Sequence, residues 1–327
     1  MTRAAPATGK GPAAAGPLDW MLLAALVVMG GSAFTFIHIG LETAPPAVVT
    51  IGRLWVAALA LYVAMRAKGR RFPPLLVRTK EGLRPHRLWA WMAAVGMVGY
   101  TIPFYIFPWA QQFLPSGLAG VYMAFMPIWT LLLAAFFVDE RLTAARLAGF
   151  ALAAGGVLVL MGPEAIEGIS GADIFAQAGL LLATMLYAAS AVMSRRAPPA
   201  RRIVFSAGIV LAGAVFATPG LLFNAIEPAS WSARSVLSIL ALGAGPTALS
   251  GVIIIILIRR AGPSFMAISN YIVPLFAVLA GALLFGERLG LNVFIALALI
   301  FAGVAVSQRR AKPAPSACAV AAPQRSI

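Results

Sequence analysis

The sequence predicts an all-α membrane protein of ten transmembrane helices, arranged as two inverted five-helix repeats, and three observations predict it. The first is bulk apolarity: of 327 residues, 61% are hydrophobic and 11% charged, with a mean hydropathy of +0.92. A soluble domain carries about a quarter charged residues. The second is an internal echo, since PIWTLLLAAFFVDERLTAARLAGFALAAGGVLV (127–159) lies without a gap over PLFAVLAGALLFGERLGLNVFIALALIFAGVAV (274–306). Pro127 falls on Pro274, Glu140 on Glu287, Arg141 on Arg288, Leu142 on Leu289, Gly156 on Gly303 and Val157 on Val304. Leu and Ala coincide by chance in an apolar chain, but a Pro, a Glu-Arg-Leu and a Gly kept at one mutual spacing indicate duplication. The third is the placement of Lys and Arg, which alternates from one interhelical segment to the next.

Taken in order, residues 1–17 are rich in Ala, Pro and Gly and read as a disordered N-terminal tail. Leu18 to Ile39 is long enough to span, and no small-residue cleavage site follows it, so it reads as the first helix rather than a signal peptide. About twenty residues at 1.5 Å each cross a hydrocarbon core of roughly 30 Å. On that ruler the spans are 18–39, 47–65, 88–110, 116–138, 143–161, 174–193, 203–223, 236–258, 264–285 and 289–307. The first repeat occupies 18–162, the second 163–308, and 309–327 form a second disordered tail. With the N-terminus inside, the cytoplasmic segments hold two, eight, two, four, two and four Lys and Arg, or 22 of 25. Arg234 and Arg288 lie outside and Arg53 within a span. Both termini are therefore expected in the cytoplasm of a multi-pass inner-membrane protein. Five spans per half force the second half to enter the membrane upside down, the architecture of alternating access.

The net charge of +15 resides in segments between apolar spans, which excludes a nucleic-acid-binding face. There is no GxxxxGK[ST] loop, HExxH or CxxC, only two histidines, and a single cysteine, Cys318, in the tail. No cofactor, metal site or catalytic group is expected, and the chain does not read as an enzyme. All ten acidic residues fall in tails, loops or span ends, leaving no buried carboxylate to carry a proton. His38 is the one group near neutrality in a span, and a simple hydrogen-bonded role stands beside a proton role.

Arg53 is the single charge inside a span, and two readings stay open: a partner such as Glu42, or a gate or carboxylate anchor for substrate. Pro127 and Pro274 sit mid-span and free the carbonyls of Met123 and Asn270, which must then face protein or a watery cavity. These prolines are the candidate hinges, with further breaks at Pro103, Pro108, Pro219 and Pro246. Around them lie the pathway candidates Tyr100, Tyr105, Trp109, Tyr122, Met123, Trp129, Tyr187, Ser269, Asn270 and Tyr271, together with His38 and Arg53. Trp20, Trp89 and Trp91 read as interfacial anchors, a role Trp109 shares. Glu140 and Glu287 precede helices whose first-turn N–H groups they are expected to cap. Ala145, Gly149 and Ala153 form a small-residue face for close approach of a neighbour.

The pattern P-(x)12-E-R-L followed by a small-residue helix with Gly-Val, present at Pro127, Glu140, Gly156 and Val157 and again at Pro274, Glu287, Gly303 and Val304, resembles the drug/metabolite transporter superfamily in its EamA-type branch. GGSAF at 30–34 is similar to the WGS-type opening of that family, with Gly30 where Trp is usual, and Arg53 resembles an Arg found early in its second helix. The resemblance covers residues 18–308. It implies a secondary transporter of small metabolites, foremost amino acids, working outward. Residue chemistry alone supports a small, uncharged or zwitterionic solute. The rival readings are a proton-coupled multidrug or other metabolite exporter, a membrane-integral enzyme, and a scaffold without transport. Expected partners are a small-molecule substrate and the lipid bilayer, with a monomer as the expected form.

Overall fold

Length and apolarity put most of the chain into helix, because backbone N–H and C=O groups deprived of water must pair within their own segment. A computed structural model describes residues 16–79, 82–137, 144–161, 172–223, 230–261, 263–266, 268–287 and 290–307. The predicted terminal tails lie almost wholly outside these residues, as do Glu140, Arg141, Leu142, Arg288 and Leu289 of the echoed turns.

Helix α1 (Pro17–Leu41) is followed by α2 (Pro46–Ala67). Each starts on a proline, whose fixed φ suits a first helical residue and whose missing N–H is not needed there. Helix α3 (Arg87–Ala110) contains a π turn at Met97–Thr101. Helix α4 (116–137) is Ser116–Tyr122, a 3-10 turn Met123–Phe125, and Met126–Phe137. Then come α5 (Ala144–Met161), α6 (Ala172–Arg196) and α7 (Arg202–Phe223). Helix α8 (233–260) carries a π turn at Gly243–Leu249. A short turn, Pro263–Met266, precedes α9 (Ser269–Phe285), and α10 (Leu291–Ser307) follows. One antiparallel strand pair, β1 (Leu76–Thr79) and β2 (Gly82–Pro85), sits in the basic segment between α2 and α3. Sequence reading did not foresee this pair.

Among the described residues, six helices are long and apolar enough to cross a membrane, within α1, α2, α3, α6, α7 and α8. Shorter apolar stretches occur in α5, α9 and α10. Outer faces are as apolar as the core: Leu283 is 77% and Phe223 86% exposed. A helix apolar all round is a lipid-facing helix.

Helix α1 packs against α4, α8 and α9, α2 against α7 and α8, and α3 against α6 and α7. The partner of the predicted small-residue face of α5 is α10. A Cβ at Gly303 would lie 2.5 Å from the Gly149 carbonyl oxygen and 2.8 Å from the Ala153 nitrogen. One at Gly156 would lie 3.0 Å from the Ala296 carbonyl oxygen. Position 296 is the repeat equivalent of position 149, so the two glycines make the same contact with their roles exchanged.

Candidate functional site

Prolines set up the site. Each removes one helical N–H and leaves the carbonyl four residues back without its donor, and a buried carbonyl must then find another. Pro246 does this to Leu242, whose oxygen accepts instead from the Thr247 hydroxyl at 2.9 Å. The Thr247 oxygen in turn accepts from Nε of Arg53 at 2.7 Å. Pro108 does the same to Phe104, whose carbonyl accepts from the Thr50 hydroxyl at 2.6 Å. The ring of Phe104 lies 3.8 Å beneath the Arg53 guanidinium carbon, a cation–π contact that holds the charge where water is scarce. Helices α2, α3 and α8 thus fix one arginine, 8% exposed, between them.

Arg53 opens onto a cavity of about 230 Å³. Helix α1 supplies Phe34 and Ile37, α3 Phe107, α4 Met123 and Met126, α6 Tyr187, α8 Pro246 and Ser250, and α9 Ser269, Asn270 and Pro274. The wall is mostly aromatic and thioether with a few hydroxyls and one amide, a composition suited to a small solute. Of the sequence candidates, the cavity brings together Arg53, Met123, Tyr187, Ser269, Asn270 and Pro274.

The others lie elsewhere. The ring of His38 packs on Phe285 with centroids 4.3 Å apart. Tyr100 packs against Phe104, behind the arginine. Tyr105 donates to the Ala217 carbonyl at 2.6 Å, and with Trp109 borders a separate recess beside Pro45 and Pro46. Tyr122 is buried and donates to Gln177 Oε1 at 2.6 Å, joining α4 to α6. Trp129 packs among Phe125 and Phe150, its indole N–H buried without a partner among the described residues. Pro127 lies in α4 outside the lining, and the Tyr271 side chain lies outside the described residues.

Three expectations need correction. Glu42 does not pair with Arg53; it meets Arg234 at 3.3 Å, since it ends α1 while Arg53 lies two turns deeper. The Met123 carbonyl is not free: Met126 N–H donates to it, because α4 tightens into a 3-10 turn around the proline. Glu287 does not cap its own helix α10 but crosses to α4. Its Oε1 accepts from the Ser116 N–H at 2.7 Å and the Ser116 hydroxyl at 2.8 Å, and its Oε2 from the Gly117 N–H at 2.9 Å. Pro115, at the N-cap position of α4, has no side-chain acceptor, and the carboxylate comes from Glu287, just past the end of α9. Gly286 aims it: with φ +64° it ends α9 in a left-handed turn, its N–H donating to Ala282 and the Glu287 N–H to Gly281.

Sequence reading missed Phe34, Phe107, Met126, Thr247 and Ser250. Thr247 adjoins a proline already marked as a break, in GAGPT, and was findable there.

The EamA-like transporter family model matches residues 18–162 and again 174–308, one match per half. This chain belongs to the EamA-like transporter family. The uncharacterized inner membrane transporter YedA of Escherichia coli strain K12 is 27% identical to this transporter over 292 residues, covering 87% of this chain and 89% of that one. The probable terminal-alkyne amino-acid exporter of Streptantibioticus cattleyicolor is 34% identical over 134 residues, 41% of either chain. A solved crystal structure at 20% identity superposes with a TM-score of 0.59 over 89% of this chain and 96% of its own, a likeness of fold. In this EamA-like protein, Gly30 stands where the opening motif usually has Trp. Phe34, one turn on, is the aromatic that α1 gives the cavity.

Proposed function

We propose that this protein exports small metabolites, amino acids foremost, across the inner membrane by alternating access around the Arg53 cavity. The observation that carries the reading is the cavity itself: it is lined from both family repeats and includes the proline breaks of α8 and α9 in its wall. A soluble enzyme would place its chemistry on loops; here the polar groups converge half-way along apolar helices. The family is one of transporters, and one partial-length relative is named for amino-acid export.

The finer architecture in this proposal is ten spans in two inverted halves, with both termini cytoplasmic. The exchanged Gly156 and Gly303 contacts support it. Gly156 meets Ala296 and Ile300 while Gly303 meets Gly149 and Ala153, so α5 and α10 run antiparallel. Equivalent helices that run antiparallel are related by a two-fold axis across them, the relation inverted repeats require. Pro127 and Pro274 act as hinges about which the two bundles rock.

The test is counterflow of radiolabelled amino acids into proteoliposomes with no pH gradient. Saturable uptake, reduced when Pro127 and Pro274 are both changed to Ala, is expected. Uptake across the amino-acid panel no greater than in protein-free liposomes sinks the amino-acid assignment.

A further inference from the structure

The identity of the solute head group follows from how Arg53 is held, given the transporter reading above. A guanidinium has five N–H donors. Nε is committed to Thr247, and the Thr247 hydroxyl proton is itself committed to the Leu242 carbonyl, so this hydroxyl cannot turn away. Phe104 covers one face of the group. The two terminal nitrogens remain for the cavity that Arg53 lines.

Among the described residues, three of the four acidic side chains are spent: Asp19 holds Arg260 at 2.6 Å, Glu42 meets Arg234 at 3.3 Å, and Glu287 caps α4. Asp173 lies in the first turn of α6. The cavity lining contains no carboxylate among the described residues, and the helix interiors contain none in the sequence. Among the described residues the site therefore holds one fixed positive charge and no fixed negative one. A buried cation without a counter-ion favours any ligand that supplies one, and a carboxylate matches the guanidinium fork with two parallel, charge-assisted hydrogen bonds. An ammonium group would find only hydroxyls, an amide oxygen and ring faces, and would meet Arg53 as a like charge.

We infer that Arg53 is the carboxylate-recognition residue of the cavity and that the solute class is small monocarboxylates with an apolar or aromatic body. Amino acids enter it through their carboxylate, and their ammonium is dispensable.

Three probes sharing one phenyl body separate the head groups: phenylalanine carries both charges, 3-phenylpropionate the carboxylate alone, and phenethylamine the ammonium alone. Binding is measured by calorimetry on the purified full-length protein in detergent, which avoids passive leakage of the two permeant probes. The expected result is that 3-phenylpropionate binds at least as tightly as phenylalanine and phenethylamine at least about tenfold more weakly than either. Arg53→Gln should weaken both acids by roughly tenfold or more, with Arg53→Lys intermediate because it keeps the charge but loses the fork. Phenethylamine binding as tightly as the acids overturns the inference, as does acid binding unmoved by Arg53→Gln. Binding of none of the three overturns it too, while saturable counterflow of another solute would leave the transporter reading standing. The head-group comparison needs no variant, so a poorly folding Arg53→Gln protein does not spare the inference.

Discussion

Replacing Glu287 separates a charge-assisted cap from a mere surface carboxylate. Its two oxygens satisfy the Ser116 and Gly117 N–H groups at 2.7 and 2.9 Å and the Ser116 hydroxyl at 2.8 Å. Ser116 is 1% exposed, so its N–H has no water to turn to. Losing a helix cap costs about 0.5–2 kcal/mol, the lost charge at the dipole end about 0.3–1 kcal/mol, and orphaning a buried donor about 1–3 kcal/mol. These terms overlap, and we expect Glu287→Ala to destabilise by about 2–4 kcal/mol. Glu287→Gln keeps one neutral acceptor and should cost about half as much. Ser116→Ala removes one bond alone, at about 0.5–1.5 kcal/mol, and should cost less still in the Glu287→Ala background because its partner is gone. Thermal unfolding of five purified proteins in one detergent, the double variant Ser116→Ala/Glu287→Ala among them, reads the order wild type, Ser116→Ala, Glu287→Gln, Glu287→Ala, with the double variant supplying the additivity test. Equal small shifts for Gln and Ala, or strict additivity of the Ser116 and Glu287 changes, would refute the capping argument.

Two further predictions rest on packing and on backbone satisfaction. Gly303→Ala forces a methyl to within 2.5 Å of a carbonyl oxygen and 2.8 Å of a backbone nitrogen, which cannot step aside. Gly156→Ala meets first the Ile300 side chain at 2.9 Å, which can re-pack. Gly303→Ala should therefore cost about 1–3 kcal/mol and Gly156→Ala less; the reverse order in apparent melting temperature would contradict the contact geometry. Thr50→Val keeps the side-chain shape but strands the Phe104 carbonyl, at about 1–3 kcal/mol. Pro108→Ala returns that carbonyl its helical donor, so Thr50→Val should become nearly neutral in the Pro108→Ala background. An undiminished cost there would show that the hydroxyl serves something other than the proline.

The family was legible in the sequence because its signals are local and additive. Apolar runs of the right length appear as helices whose ends fall within a few residues of those expected, as at Pro46–Ala67 for a predicted 47–65. The echoed Pro, Glu-Arg-Leu and Gly needed only alignment of the chain on itself. Arg53, Met123, Tyr187, Ser269, Asn270 and Pro274 were recognisable as cavity candidates because polar, bulky or helix-breaking residues in apolar spans are conspicuous.

What the sequence determined by itself was where partners would be needed: at the helix breaks made by mid-span prolines and at the charge of Arg53 within its span. Which group satisfies each was decided only by tertiary structure. Thr50 serves a carbonyl 54 positions away, Arg53 meets Thr247 across 194, and Glu287 reaches back 171 to Ser116. Guessing Glu42 for Arg53 and the adjoining helix for Glu287 failed for one reason: both choices took the nearest residue along the chain. Hydrogen-bond reach is about 3 Å in space. Helix length sets depth along each span, but the neighbour across the gap is chosen by how the helices pack.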